Sequence, residues 1–403
     1  MKKKFLPLVV ISALLLSSQS YGQANRAFAV TGETKGNFNW NVIREVDLST
    51  GEITKTIYSP LANKTINYKA VAGTELRANI SQTPATTNGV AAAAFDGLHN
   101  RLYFTNMRGN ELMYFDFNAS ALTVVVDNNA KFNTGSKFEE GNVITRMAFA
   151  ADGNGYAITN DGKSMIRFTT DQKPTITNLG ELIDGKKNGT MSVHSQCSSW
   201  GGDLIGDAYG NLYLVTYRNH LYKINPQTRV TDYVGQIKGL PAEFTSNGMV
   251  VDNNGDVLVS SATVTTNYYR VNMSTLEATA INKKEETLFN CSDLASSNLL
   301  YQSKTAKTEA KAEVRGNGQV SIYPNPVPNK EFNVQFDKIP SGKYNLVLTD
   351  ASGRAILVRS LNIGFNGQLE KIAIPRSSGA GVYLVKLTGE DNKVVYNDKI
   401  VVQ

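Results

Sequence analysis

The chain reads as all-β: a five-bladed β-propeller, with six blades as the alternative, followed by a small antiparallel β-sandwich. Three observations lead there. One short apolar–polar phrase recurs five times between residues 26 and 302, Asp/Gly/Asn turns punctuate the copies, and the last 80 or so residues share neither the phrase nor its spacing.

The phrase occupies 43–51, 112–118, 165–171, 221–228 and 268–275, and most copies end on Asp, Asn or Thr. Alternation with a period of two is the mark of a strand with one buried face. A second β-rich run follows each copy, at 53–57, 122–126, 175–179, 230–234 and 276–281. Upstream of each lies another strand, at 27–31, 102–105, 156–159, 212–217 and 257–260. In the inner four copies this strand follows a tight turn at 96–100, 152–155, 207–211 or 252–256, preceded by a small-apolar run such as 90–95, 147–150 or 249–251. Four strands joined by tight turns make one blade. The first unit lacks its innermost strand; residues 289–295 could supply it, closing the ring and leaving no open sheet edge. Blades usually take ~40–50 residues, which keeps six in play. The widest gap holds 59–88, too short and too polar for a further blade, so five with one insertion is favoured. That insertion and the loop 131–141 are the longest irregular pieces, and long loops on a rigid scaffold tend to carry recognition. Tyr58, Tyr68, Phe132 and Phe138 are the expected contact residues. The body resembles secreted propellers of the WD-like or quinoprotein-like kind only in general form, because no Trp-Asp dipeptide repeats.

At the N-terminus, Lys2 to Lys4 precede an apolar stretch at 5–16 and a small, polar one at 17–22. The apolar core is too short for a permanent span, and the layout is that of a signal peptide cleaved before Gln23. No cysteine follows it, so a lipid anchor there is not expected, and no later segment reaches the ~18 continuous apolar residues of a membrane helix.

The C-terminal segment opens on Tyr323-Pro324-Asn325-Pro326. Gly342 and Tyr344 begin an alternating run, Asp350 and Gly353 supply a turn, Gly381 and Tyr383 begin another run, and Lys399 stands in the terminal strand. Tyr344, Leu346 and Leu348 alternate with polar or outward positions, and Asp350-Ala351-Ser352-Gly353 is turn chemistry. With these motifs, residues 318–403 resemble the type A sorting domain of the type IX (Por) secretion system of certain Gram-negative bacteria. The resemblance implies periplasmic export, recognition by the secretion machinery and a sorting-domain protease, and release or tethering at the outer-membrane surface. Residues 303–317, without a periodic apolar face, read as a flexible linker between it and the propeller at 23–302.

The charge of +6 is unevenly spread. Three lysines belong to the leader, and residues 303–403 carry 14 Lys plus Arg against 9 Asp plus Glu, which leaves the body at −2. A nucleic-acid surface needs a retained basic face, so none is expected. Cys197 and Cys291 fall in different repeats and are expected free and buried rather than paired.

No zinc signature, nucleophile elbow, P-loop or dinucleotide fingerprint is present. Asp252-Asn253-Asn254-Gly255-Asp256 looks like a calcium loop but has serine at position 261 where the closing acidic ligand belongs, so it reads as a hairpin turn. The polar residues on or before innermost strands are Asn88, Asn142, Arg146, Gln196, Asp203, Asn247, Asn290 and Asp293. Together with His194, near the channel mouth, they are the candidates for a ligand site, with His194, Gln196, Asn247 and Asn290 put first. His194 and Cys197, three apart on an extended chain, would point to opposite faces.

The expected function is a non-catalytic binding module for an extracellular protein or glycan, monomeric and without a cofactor. The alternative is a calcium-dependent lactonase or esterase holding its metal through Asp203, Asn247 and Asp293. Propellers host so many chemistries that fold alone does not decide between them.

Overall fold

The recurring phrase folds, in a computed structural model, into a run of antiparallel sheets. The structure describes residues 26–63, 67–70, 85–109, 111–119, 121–170, 175–282, 288–302, 315–316, 319–327, 330–336, 339–350, 352–365, 367–375 and 377–402. The expected signal peptide and most of the expected linker lie outside them.

Before residue 302 the described residues form five sheets of four or five strands. Their inner strands are Val90–Asp96, Ile144–Phe149, Asp203–Gly206, Ser246–Val251 and Asp293–Ser296. Each is followed outward by antiparallel neighbours, and two sheets gain a parallel outermost strand: Asn67–Ala70 beside Thr123–Lys131, and Ile183–Asp184 beside Val230–Gln236. The sheet holding Ala27–Thr31 takes its inner strand from the far end of the body, with Val30 opposite Asp293 and Ala27 opposite Ser296.

Neighbouring inner strands touch in cyclic order, so the last sheet meets the first. Each gap between sheets has its own apolar core. Phe28, Phe95, Phe104 and Phe115 fill the first, Tyr103, Tyr114 and Phe168 the second, and Ile158, Leu212 and Tyr222 the third. Val215, Met249 and Val259 fill the fourth. Ala29, Val250, Leu258 and Leu294 close the circuit between the last sheet and the first. Fully burying one such side chain is worth about 1.5–3 kcal/mol, so a break at any gap is costly. The arrangement is propeller-like.

The turn residues have one job throughout. The Oδ1 atoms of Asp96, Asp152, Asp207 and Asp252 each accept backbone N–H bonds two to four residues on, at 2.7–3.1 Å. Asp47, Asp116, Asn225 and Asn272 do the same where the phrase ends. Short polar side chains that mimic a backbone turn explain why the copies end on Asp or Asn. The calcium-like stretch at Asp252 is one of these turns.

The C-terminal part has two four-stranded sheets, Arg315–Gly316 with Val320–Tyr323, Glu331–Phe336 and Gln368–Ala373, and Ala355–Ile363 with Gly342–Thr349, Gly381–Gly389 and Val394–Val402. They share a core in which Ile322, Phe332 and Val334 meet Leu346, Leu348 and Val385. Tyr344, Leu346 and Leu348 are buried and Asn345 is exposed, as the alternation predicts. This part rests on the body: Tyr323 packs with Ala151 and Leu369, Asn154 Nδ2 donates to Gln335 Oε1 at 3.1 Å, and Arg167 Nη1 donates to the Gly367 carbonyl at 3.3 Å.

Several expectations are corrected. Tyr58 and Phe132 are core residues, 1% and 3% exposed, rather than contact residues; the Tyr58 hydroxyl accepts the Ala85 N–H at 3.1 Å. Phe138 is exposed, and the side chain of Tyr68 lies outside the described residues. Cys197 and Cys291 are both free, but Cys197 is exposed. It sits on a helical turn, Gln196–Ser199, where an extended chain was expected. Among the described residues no helix is long and apolar enough to cross a membrane.

Candidate functional site

Register places Ala92, Arg146, Asp203, Gly248 and Asp293 at one layer of the five inner strands, opposite Thr105, Ile158, Val215, Ser260 and Val30 of the next strands. One layer further along, Ala93, Met147, Leu204, Met249 and Leu294 narrow the centre to a cavity of about 20 Å³. That volume holds a water at most.

Asp203 and Asp293 meet in the charged layer although 90 residues separate them in sequence. Asp203 is fully buried and takes three backbone donors: Leu204 N–H at 2.6 Å, Met249 N–H at 2.7 Å and Leu294 N–H at 3.3 Å. Two of these come from the next two inner strands, so the carboxylate laces three strands together. Gly248 leaves the room for this: a Cβ there would come within 2.4 Å of Ser260 Oγ and 3.1 Å of the Leu294 nitrogen. Asp293 is equally buried, yet neither of its oxygens accepts a hydrogen bond, and the Ala93 N–H offers only weak stabilisation. Burial raises both carboxyls well above the ordinary range, and Asp203 raises Asp293 further. Two desolvated carboxyls that repel each other ionise less readily than either would alone, so the pair is held above the ordinary carboxylate range.

Arg146 occupies the same layer and is completely buried. Its Nε donates to the Gly201 carbonyl at 2.9 Å, Nη1 to the carbonyls of Thr159 and Asn160 at 2.9 and 3.2 Å, and Nη2 to that of Ser199. Burial lowers its pKa to about 9. The guanidinium is thus a clamp that fixes the 199–201 loop against the third sheet.

Of the residues put first for ligand binding, His194, Asn247 and Asn290 are engaged within the fold. His194 Nδ1 and Nε2 face the carbonyls of Asp161 and Leu182 at 2.7 and 3.0 Å. Gln196 is exposed on the helical turn. Asn247 Oδ1 accepts the Ala262 N–H at 3.3 Å. Asn290 is buried, its Oδ1 accepting from Gly36 N–H and its Nδ2 donating to the carbonyls of Asn37 and Ala262. Cys291 is buried against the Tyr268 hydroxyl at 2.7 Å, and burial pushes its thiol up to about 12, far from a reactive thiolate.

For calcium, Asp203 and Asp293 converge but Asn247 is committed to its own sheet. The three N–H groups aimed at Asp203 suit an anion and oppose a cation beside it. Among the described residues no three His, Cys, Asp or Glu side chains form a metal-binding group.

Sequence reading passed over residues 38–41, where aromatic and amide side chains alternate. They line an open pocket of about 480 Å³ with Pro60, Met107 and residues 86–89. The available signal was the Phe38-Asn39-Trp40-Asn41 order in a connection between two strands, since aromatics outside the core period tend to have another use.

In the C-terminal part the signature residues are mostly structural. Asn325 Oδ1 accepts the Val401 N–H at 2.8 Å and its Nδ2 donates to the Lys399 carbonyl at 3.1 Å, tying the Tyr-Pro-Asn-Pro opening to the last strand. Tyr344 and Tyr383 each donate a hydroxyl bond four residues back, to Pro340 and Gly379, at 2.7 and 2.6 Å. Asp350 caps its turn through Ser352 and Arg354, and Gly353 takes the left-handed φ of 82° that the turn requires. The side chain of Lys399 is exposed.

Comparison with known proteins bears on both parts. Residues 207–337 match a repeat of unknown function. No curated protein matches the chain. Among solved structures the chain is similar to PorZ, described as an essential bacterial surface component of the type IX secretion system of Porphyromonas gingivalis. Identity is 15% and the TM-score 0.30, over 93% of this chain and 51% of that one, so the chain spans about half the length of PorZ. A protein of unknown function from Bacteroides thetaiotaomicron is similar at 13% identity and a TM-score of 0.41, over 68% of this chain and 70% of that one. Virginiamycin B lyase from Staphylococcus aureus is similar at 9% identity and a TM-score of 0.29, over 78% and 85%. Likenesses this distant transfer no activity. Residues 321–403 match the family described as the secretion system C-terminal sorting domain. The chain therefore ends in a type IX sorting domain that marks it for export, to be secreted or attached at the cell surface.

Proposed function

We propose that the protein is an exported five-bladed propeller, followed by a sandwich that carries the sorting signal, and that the body is a binding module for an extracellular glycan or protein. One observation carries the reading: the centre of the ring is occupied by its own side chains. A propeller enzyme needs a reachable polar cavity on its axis, whereas here the axial carboxylates have no solvent access and the cavity beside them is about 20 Å³. Recognition then falls to the loops and the outer surface.

The test is to present the purified mature chain to a glycan array and, separately, to cross-link it at the surface of its native host. Saturable binding or a defined cross-linked partner, unchanged by a calcium chelator, is the expected result. Chelator-sensitive turnover of lactone or ester substrates, with no binding partner in either assay, would overturn the proposal in favour of a calcium-dependent hydrolase.

A further inference from the structure

We infer that the pocket at residues 38–41 is a binding site for a neutral sugar, a pyranose unit of a larger glycan. The inference rests on the binding-module reading and names its site and ligand class.

The pocket joins two sheets. Trp40 accepts the Val90 N–H at 2.8 Å through its carbonyl, and Thr86 Oγ1 donates to the Asn41 carbonyl at 2.7 Å, so residues 38–41 are strapped to residues 86–90. Its volume of about 480 Å³ lies within the ~300–1,000 Å³ of small-ligand sites. Trp40 anchors the floor in the apolar core, while Phe38 stands across it edge to face, centroids 5.7 Å apart and planes at 87°. Phe38 is 58% exposed, an unusual position for a large aromatic that packs on another.

Three features define the ligand. Among the described residues that line it none is charged, which suits a neutral ligand. Asn41 Oδ1 is walled off from the pocket, so the amides that face a ligand are those of Asn39 and Asn88, both lining residues and both exposed. Trp40 is held at φ 47° and Asn88, on the opposite wall, at φ 63°. A left-handed backbone at a bulky aromatic costs on the order of 1–3 kcal/mol and is found where a site fixes its contacts in advance. An uncharged ligand with a flat C–H face for the exposed Phe38 ring, and hydroxyls for the amides of Asn39 and Asn88, is a sugar ring. A hydrophobic peptide side chain would bring no hydrogen-bonding partner for those amides.

The test uses the full mature chain with Trp200→Phe, which leaves Trp40 as the sole indole. The probes are the methyl glycosides of glucose, galactose, mannose and N-acetylglucosamine, with N-acetylneuraminic acid as the charged control. A saturable change in Trp40 fluorescence with at least one neutral glycoside and none with the acid is expected. Phe38→Ala and Asn39→Ala, both at exposed positions, should each weaken it about tenfold while leaving the melting curve in place. If a glycoside binds equally well to both variants, the site assignment fails while the binding-module reading stands. If no glycoside perturbs Trp40 and the glycan array is silent, the sugar proposal is overturned, and a partner cross-linked at the cell surface would still support a binding module.

Discussion

Asp203 and Asp293 show how two identical residues in one layer take opposite parts. Asp203 accepts three backbone hydrogen bonds and the Asp293 oxygens accept none, so burial raises Asp293 with less to offset it. A folded-state pKa above the unfolded value means that the folded chain binds more protons than the unfolded one. Stability then falls as pH rises from the unfolded carboxyl value of about 4 through the raised folded value. Asp293→Asn should remove that loss: thermal melting should show a gain of about 1–3 kcal/mol at pH 8 and a flatter dependence between pH 5 and 8. Asp203→Asn should do the reverse, leaving inward N–H groups poorly met and lowering the melting temperature throughout. Equal effects from the two substitutions would contradict the assignment. Arg146→Met should cost on the order of 3 kcal/mol, because four carbonyls lose a charged donor. The sequence allowed Asp203 and Asp293 to be grouped, as alternative calcium ligands with Asn247. Neither their opposite hydrogen bonding nor the role of Arg146 was legible, because closure of the ring sets both among residues far apart in the chain.

At the scale of elements, what the sequence made plain was whatever depends on short-range chemistry. The alternating phrase, its Asp or Asn terminus and the tight turns are local, and the turn carboxylates bond as local rules require. The missing inner strand of the first sheet was also legible, from counting: the strand that fills it is Asp293–Ser296, which overlaps the end of the stretch singled out at 289–295. Burial of Tyr58 and Phe132 was not, because a loop aromatic and a core aromatic differ only in what the rest of the fold places over them. Two substitutions test the ring. Leu294→Pro removes the N–H that reaches Asp203 and puts a rigid ring into the strand paired with Ala27–Thr31. It should lower the melting temperature steeply and expose the edge of Ala27–Thr31, read by proteolysis near the N-terminus. Gly206→Ala should cost about 1–3 kcal/mol, since its Cβ would come within 2.6 Å of the Phe149 carbonyl oxygen on the neighbouring inner strand. A neutral Gly206→Ala would mean that the inner strands are not packed this closely.

For the whole molecule, the division is between an address and a payload. The sorting signal was the most legible part of the sequence, since several ordered motifs recur at fixed spacing. The mechanics behind it, with Asn325 stitched to the last strand and two tyrosines bonded four residues back, emerge only in three dimensions. The payload's partner is less legible because an aromatic-and-amide pocket has no fixed spacing. The most direct measurement is fractionation of the native host expressing the full chain or a chain ending at Gln302, with glycan binding assayed on both products. The full chain is expected at the surface or in the medium, and the shortened chain is expected to stay in the periplasm with its glycan binding intact. A shortened chain that reaches the medium as efficiently, or that is retained but no longer binds what the full chain binds, would contradict the division into address and payload.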